Sequence, residues 1–198
     1  MSVKIPTNKS DVTKEWLQEA LDLKSDQVVN INPVEEKNGF LSGVFKAQVI
    51  IQGQINHLFI KIISDPDDAY TSIYDTNNFD EIEIIFYKKY LPDLIRFEQT
   101  KCKRSELENM TPKIYGGDYC LEKEKRGFYL IMEDLSVNSF TMAGKGSARS
   151  EGLTFEQVNQ ILIKMARFHG VSYAFGQQGW LALENLLLKS NISFMYPC

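Results

Sequence analysis

Residues 57–63, His-Leu-Phe-Ile-Lys-Ile-Ile, decide the fold because they place one lysine inside an otherwise apolar strand. Side chains alternate along a strand, so Phe59 and Lys61 share one face while Leu58 and Ile60 share the other. Both faces are apolar, and an unpaired buried charge costs several kcal/mol. The Lys61 ammonium is therefore expected to have an acidic partner. The alternative is a lysine whose ammonium reaches solvent from an edge strand.

Glu83 is the expected partner of Lys61. It lies near the start of a predicted helix over 79–90, whose apolar residues recur every three or four positions. Glu83 borders this apolar stripe, whereas Glu81, the competing candidate, lies on another side of the helix. A strand lysine held by a helix glutamate can be oriented onto nucleotide phosphates. The alternative is a structural ion pair that only ties the helix to the sheet.

A glycine-containing turn precedes Lys61 along the chain, at residues 38–43, between two predicted strands. Gly39 would allow the backbone to approach phosphate oxygens, and the Ser42 hydroxyl could donate a further hydrogen bond. The turn lacks the three-glycine signature of nucleotide-binding loops. An ordinary hairpin turn is the alternative interpretation.

A candidate hinge follows the strand that ends at residues 131–135, Ile-Met-Glu-Asp-Leu. Here Met132, Glu133 and Leu135 can offer main-chain N–H and C=O groups to an adenine ring while their side chains point away. The acidic side chains of Glu133 and Asp134 are expected to be solvated or to cap the next turn. Main-chain recognition leaves little trace in a sequence, so an ordinary strand end is the alternative.

Composition excludes several other classes of protein. The 198 residues are 43% hydrophobic and 24% charged, as in an ordinary globular protein, and the net charge of −4 argues against nucleic-acid binding. No apolar run approaches the roughly 20 residues that span a bilayer, so no membrane contact is expected. Two distant histidines and three cysteines without metal-ligand spacing predict no metal site. The cysteines and the absence of a signal peptide suggest a reduced, cytoplasmic protein.

The predicted elements follow the order helix, strands, helix, strands, linker and helix. This order predicts an α+β fold with a small sheet lobe at 1–135, a linker at 136–153 and the start of a helical lobe at 154–198. Pro92 is expected to end or kink the helix before it, and 94–109 to form a second, mostly exposed helix. Residues 154–157 have the pattern of a capping box, which predicts the start of the last helix.

Five short motifs occur in order along the chain: Gly-Phe-Leu-Ser at 39–42, Phe-Ile-Lys at 59–61, Glu-Ile-Ile-Phe-Tyr at 83–87, Met-Glu-Asp-Leu at 132–135 and Met-Ala-Arg-Phe-His-Gly-Val-Ser at 165–172. Together they resemble the ecdysteroid kinase-like group of the choline-kinase and aminoglycoside-phosphotransferase-like superfamily, which is related to protein kinases. The resemblance runs from about Trp16 to Phe175. It implies a protein-kinase-like N-terminal lobe, with an antiparallel sheet and a C helix, then a hinge and the first helices of an incomplete C-terminal lobe.

The resemblance also implies a function. Members would transfer the ATP γ-phosphate to a hydroxyl of a small molecule such as an ecdysteroid or choline. Lys61 would contact the phosphates, Glu83 would hold Lys61, the hinge would meet adenine, and Mg²⁺ would act in a full-length parent. In this resemblance His169 is expected to pack in the core beside its helix and to have no catalytic role.

Two motifs of such kinases do not occur in these 198 residues: the His-Gly-Asp catalytic loop with its later asparagine, and the metal-binding aspartate. Residues 134–138 are one residue short of the required spacing. The sequence therefore predicts no catalytic or metal-binding residue here, and a truncated nucleotide-binding part that is inactive alone. One alternative is a non-catalytic, pseudokinase-like binding or regulatory module that docks through an apolar face of the helix after Thr154. Another is an unrelated α+β domain with a structural Lys–Glu pair.

Overall fold

The computed structural model describes residues 3–34, 42–63, 79–122, 127–138 and 153–179. The chain divides into two compact units. The first comprises Met1–Lys89 and Pro112–Val137, and the second comprises Tyr90–Thr111 and Asn138–Cys198. Most of the predicted linker at 136–153 and everything after Gly179 lie outside the described residues. The domain boundaries proposed from the sequence stay predictions.

The first unit contains a five-stranded antiparallel sheet, and the α+β class predicted from the sequence is confirmed. Its strands are β1 (Val28–Pro33), β2 (Ser42–Ile51), β3 (Gln54–Ile63), β4 (Ile114–Cys120) and β5 (Gly127–Glu133). Their order across the sheet is β1-β2-β3-β5-β4. Strands β2 and β3 are joined by Gln52 and Gly53, which have φ angles of 53° and 77°. Two consecutive positive φ angles are typical of the tight hairpin turn that suits a twisted sheet.

One face of the sheet carries the main apolar core. Leu58, Ile60 and Ile62 of β3 are fully buried there, as the alternation of side chains predicts. This face is covered by helix α1 (Lys14–Leu21), whose Trp16 and Leu17 are buried. Thr13 caps α1 by accepting a hydrogen bond from the Trp16 N–H at 3.2 Å. The N-terminal helix thus stabilises the sheet from the side opposite Lys61.

The other face of the sheet carries helix α2 (Phe79–Ile85), which continues through a π-helical turn at Phe86–Tyr90. Ile84 of α2 is buried against Phe128 and Leu130 of β5. A Cβ atom at Gly117 of β4 would lie 3.1 Å from both the Ile84 and the Leu130 Cδ1 atoms. The missing side chain of Gly117 therefore allows α2 to approach the sheet closely.

The second unit is helical. It contains α3 (Leu91–Phe97), a π-helical turn at Glu98–Cys102, a short 3₁₀ turn at Glu108–Met110 and α4 (Phe155–Gly179). Leu94, Leu107 and Val171 form its core. The predicted capping box of α4 is confirmed: the Thr154 N–H donates to Gln157 Oε1 at 2.9 Å, and the Gln157 N–H donates to Thr154 Oγ1 at 3.2 Å.

Glu98 is a fully buried carboxylate in the second unit. Its Oε1 accepts a hydrogen bond from Arg167 Nε at 3.1 Å, and its Oε2 accepts one from the Leu107 N–H at 2.9 Å. Arg167 also forms an ion pair with Glu106. A buried charge needs such partners, so this cluster is a structural requirement of the unit.

The structure bears on three expectations about the helices, and the one about His169 is wrong. The helical run of α2 gives way to α3 at Leu91, and Pro92 occupies the first turn of α3, where its missing N–H leaves no hydrogen bond of that helix unmade. The stretch 94–109 is mostly exposed, as predicted, although Leu94, Glu98 and Leu107 are buried. His169 is exposed rather than packed in a core, since it lies about 100° around α4 from Phe168, on whose side the apolar contacts are made.

Within the part of the chain that the structure describes, no helix is long and apolar enough to cross a membrane.

We expect Gly117→Ala to destabilise the first unit by about 1–3 kcal/mol, because the added methyl group would displace Ile84 and with it α2. Gly116→Ala is the matched control, since its Cβ would meet its nearest atom at an ordinary 3.6 Å. Urea unfolding followed by circular dichroism measures both variants. Equal stability of the two variants would contradict the close approach of α2 at Gly117.

Candidate functional site

Lys61 and Glu83 form an ion pair on the face of the sheet that carries α2. The Lys61 Nζ atom donates to Glu83 Oε1 at 2.8 Å and to Glu83 Oε2 at 2.7 Å. The two side chains are 26% and 28% exposed, so the pair is largely but not completely shielded from water. Strand β3 is paired on both sides, by β2 and β5, so Lys61 does not stand on an edge strand. The Lys61 ammonium also lies 5.6 Å from the centre of the Phe128 ring.

Glu81, the competing partner for Lys61, is engaged elsewhere. The Tyr119 hydroxyl donates a hydrogen bond to Glu81 Oε1 at 3.2 Å. The two glutamates of α2 therefore have different partners: Glu81 contacts Tyr119 of β4, and Glu83 contacts Lys61 of β3. Their placement on different sides of the helix explains this division.

The Lys61–Glu83 pair is chemically suited to hold an anion. A lysine ammonium has three N–H bonds, and the two oxygens of Glu83 accept two of them. The third can be donated to an incoming oxyanion such as a phosphate oxygen. Because Glu83 fixes the ammonium in place, little side-chain entropy remains to be lost when an anion binds.

The turn after β5 uses most of its main-chain donors internally. The Glu133 N–H donates to Lys113 O at 2.8 Å, and the Asp134 N–H donates to His57 O at 2.9 Å. The N–H groups of Ser136 and Val137 both donate to Asp134. Among the described residues, the Leu135 N–H is the main-chain donor of 133–137 for which no acceptor is seen. The predicted hinge therefore presents one N–H group that a ligand could use.

Of the two alternatives expected for the acidic hinge, Asp134 takes the second: it caps the next turn and is not solvated. Its side chain is only 6% exposed, and its Oδ2 atom lies 2.9 Å from the Lys46 Nζ atom. It does cap the following turn, because Oδ1 accepts hydrogen bonds from the Ser136 N–H and hydroxyl at 3.0 and 2.6 Å. Burial alone would raise the pKa of Asp134, but the hydrogen bonds from Ser136 and the Lys46 ammonium outweigh it. The pKa therefore lies below its ordinary value of 3.8.

Lys46 is the site residue that sequence reasoning missed. It lies opposite Phe59 in the β2–β3 register, two positions from the residue opposite Lys61, and so on the same face of the sheet. The alternation of β2 could have placed Lys46 on this face, but nothing in the sequence paired it with a residue 88 positions later.

The remaining predicted site residues are only partly described. Met132 lies in β5 opposite Phe59, next to the turn that contains Leu135. Ser42 begins β2. Gly39 lies outside the described residues, so its role stays a prediction. Nowhere in the described ranges do three or more His, Cys, Asp or Glu side chains form a group that could hold a metal ion.

Comparison with known proteins assigns most of the chain to one protein family. The model of the Ecdysteroid kinase-like family matches residues 36–190. The match includes Lys61, Glu83 and the turn after β5. None of the curated proteins matches the chain.

A double-mutant cycle of Lys61→Met and Glu83→Gln should give a coupling free energy of about 1–2 kcal/mol, because the pair is bidentate and mostly shielded. The control cycle uses Asp93 and Arg96, whose side chains are 38% and 73% exposed and should couple by no more than about 0.5 kcal/mol. Urea unfolding of each variant measures both couplings. Equal coupling in the two cycles would contradict the shielded geometry.

Stability should depend on the ionisation of Asp134. A carboxyl group whose pKa is lower in the folded state stabilises the protein above its unfolded pKa, and this stabilisation is lost as the pH falls through the folded pKa. We therefore expect Asp134→Asn to lower the free energy of unfolding at about pH 7, and the difference from the unmodified protein to shrink below about pH 3.8.

Asp93→Asn, at an exposed position, is the control for Asp134 and should change the free energy of unfolding by less than about 0.5 kcal/mol at neutral pH. Urea unfolding at the two pH values measures both variants. A difference between Asp134→Asn and the unmodified protein that stays constant with pH would contradict the ionised Lys46–Asp134 pair.

Proposed function

Because the chain belongs to the ecdysteroid kinase-like family, we propose that its first unit is the nucleotide-binding lobe of a kinase-like phosphotransferase. In this proposal the five-stranded sheet and α2 correspond to the sheet and C helix of a protein-kinase-like N-terminal lobe. The parent activity is the transfer of the ATP γ-phosphate to a hydroxyl group of a small molecule.

The Lys61–Glu83 ion pair is the observation that carries the proposal. In protein kinases a strand lysine is paired with a glutamate of the neighbouring helix and contacts nucleotide phosphates. Here a central-strand lysine is held at 2.7 and 2.8 Å by a helix glutamate, and Glu81 on the same helix has a different partner. We propose that the free N–H of the Lys61 ammonium is donated to a phosphate oxygen of ATP.

The turn after β5 supports the placement of the adenine ring. Adenine has both donors and acceptors on its edge, and a hinge recognises it through main-chain groups. The Leu135 N–H can donate to a ring nitrogen, while Met132 and Glu133 precede it at the end of β5. Gly39 and Ser42 would lie on the phosphate side in this arrangement.

Nucleotide binding, rather than phosphoryl transfer, is the activity proposed for these 198 residues, since they contain no His-Gly-Asp run. Mg²⁺ would screen the phosphate charge when it arrives with ATP. The described side chains provide no group of carboxylates that fits a metal ion, so no step is assigned to the metal here.

A second candidate function is a non-catalytic binding module, and exposure along α4 favours it. Several large apolar side chains of this helix are exposed, with Phe155 at 86%, Leu162 at 57% and Ile163 at 54%. Exposed apolar patches often mark protein interaction sites. Concentration-dependent self-association in analytical ultracentrifugation would favour this candidate, whereas a monomer that binds Mg-ATP would favour the kinase-like lobe.

We expect Lys61→Ala to weaken ATP binding by roughly 10- to 100-fold, because a charge-assisted hydrogen bond to phosphate is lost. The fold should remain intact, since Glu83 is partly accessible to water. Isothermal titration calorimetry measures the affinity, and circular dichroism checks the fold.

Lys88→Ala is the control for Lys61→Ala, because Lys88 is exposed and lies on the same helical run as Glu83. Its ATP affinity should equal that of the unmodified protein. An unchanged ATP affinity in Lys61→Ala would overturn the site assignment.

A further inference from the structure

A polar cleft of about 230 Å³ lies on the sheet of the first unit, beside the turn after β5. Its polar lining consists of Asn30, Asn32, Lys46, Gln48, His57 and Asp134. In the antiparallel register Asn30 lies opposite Gln48, Asn32 opposite Lys46, and Gln48 opposite His57. These positions alternate with the buried residues of β2 and β3, so they share the face that carries Lys61.

Three of these side chains form a hydrogen-bonded chain. Asn30 Nδ2 donates to Gln48 Oε1 at 2.8 Å, and Gln48 Nε2 lies 3.4 Å from His57 Nδ1. With the amide so oriented, Gln48 Nε2 is placed to donate to His57 Nδ1. Asn32 is exposed at the rim, and its carboxamide has no partner among the described residues. One side of the cleft is therefore held in place by hydrogen bonds between its side chains, and the carboxamide of Asn32 is available to bind a ligand.

The charge of the cleft indicates what kind of ligand it suits. Its one ammonium, on Lys46, is neutralised by Asp134 at 2.9 Å. The other polar groups are carboxamides and an imidazole, which offer donors and acceptors without net charge. A phosphate would gain little binding energy in this cleft. A planar heterocycle, in contrast, could form hydrogen bonds through the donors and acceptors on its edge.

The spacing on the sheet relates the cleft to Lys61. His57 and Lys61 are four positions apart on β3, which corresponds to about 13 Å along an extended strand. This separation is comparable with the distance between the base and the outer phosphates of an extended nucleoside triphosphate. Lys61 and the uncharged polar cleft thus lie on the same face of the sheet, and the distance between them is comparable with the length of a nucleoside triphosphate.

We propose that this cleft binds the nucleobase through side chains, and that Asn32 is the residue that selects adenine. A carboxamide pairs with the N6 donor and N7 acceptor of adenine, whereas guanine presents two acceptors at the corresponding edge. The proposal rests on the proposed function for the phosphate end and adds side-chain recognition to that of the main chain. The Lys46–Asp134 pair is assigned a positioning role, since it holds the turn that borders the cleft.

The experiment titrates three probes separately: adenosine, guanosine and inorganic tripolyphosphate. Each is added to the nitrogen-labelled unmodified protein, to Asn32→Ala and to Lys61→Ala, and the affinities are taken from NMR shift changes. We expect Asn32→Ala to weaken adenosine binding roughly 3- to 10-fold and to reduce the preference for adenosine over guanosine. Tripolyphosphate affinity should not change. In the unmodified protein, adenosine should shift the side-chain signals of Asn32 and His57.

Asn109→Ala is the matched control, because Asn109 is an exposed asparagine of the second unit whose side chain contacts only Ser105 among the described residues. It should leave the affinity for every probe unchanged. Because Asn32 is exposed on the edge strand β1, its replacement should not prevent folding.

The outcomes separate this proposal from the proposed function. Adenosine binding that is absent, or unchanged in Asn32→Ala, overturns nucleobase recognition by the cleft, while a tripolyphosphate affinity that falls in Lys61→Ala still supports the phosphate site. Equal losses for adenosine and tripolyphosphate in Asn32→Ala also overturn the proposal, because they show a general disturbance. Tripolyphosphate binding that is insensitive to Lys61→Ala overturns the phosphate site, yet adenosine binding that depends on Asn32 would still support the cleft.

Discussion

The need to pair a charge on a central strand governs the arrangement of the first unit. Lys61 stands on β3, which has neighbours on both sides, so its ammonium cannot turn around a sheet edge to reach water. A helix that presents a carboxylate at that position resolves the problem, and Glu83 does so with both oxygens. The ion pair in turn fixes where α2 lies over the sheet. The same contact therefore stabilises the fold and holds the Lys61 ammonium in one position.

Close packing of α2 makes that contact possible. Ile84 is buried against Phe128 and Leu130, and Gly117 leaves room for it on β4. The two glutamates that precede Ile84 along the chain then reach different strands, Glu81 toward Tyr119 and Glu83 toward Lys61. Together with the buried Ile84, these two contacts hold the helix in rotation as well as in position. The geometry of the ion pair therefore depends on Gly117, a residue without a side chain.

A second ion pair, Lys46–Asp134, organises the other end of the same sheet face. It is built from a half-exposed lysine and a buried carboxylate, and it fixes the turn that follows β5. Because the pair cancels its own charge, the cleft beside it is polar but uncharged, in contrast with the Lys61 end. The two lysines of this face thus have different chemical consequences, although they lie on adjacent strands. A ligand with an anionic end and a neutral heterocyclic end matches this division.

The sequence by itself determined the α+β class, the central strand with its lysine, the helix with its glutamate and the capped start of α4. Side-chain periodicity and helix capping involve only neighbouring residues, and the cost of burying a charge depends on the type of residue. All three can therefore be recognised in a sequence. Only the tertiary structure decided that Asp134 is buried against Lys46, that Gly117 admits α2, and that His169 is exposed while Glu98 is buried. Those outcomes depend on strand register and helix rotation, which bring together residues that are far apart in the sequence. No local pattern carries that information, because it exists only once the strands and helices have packed.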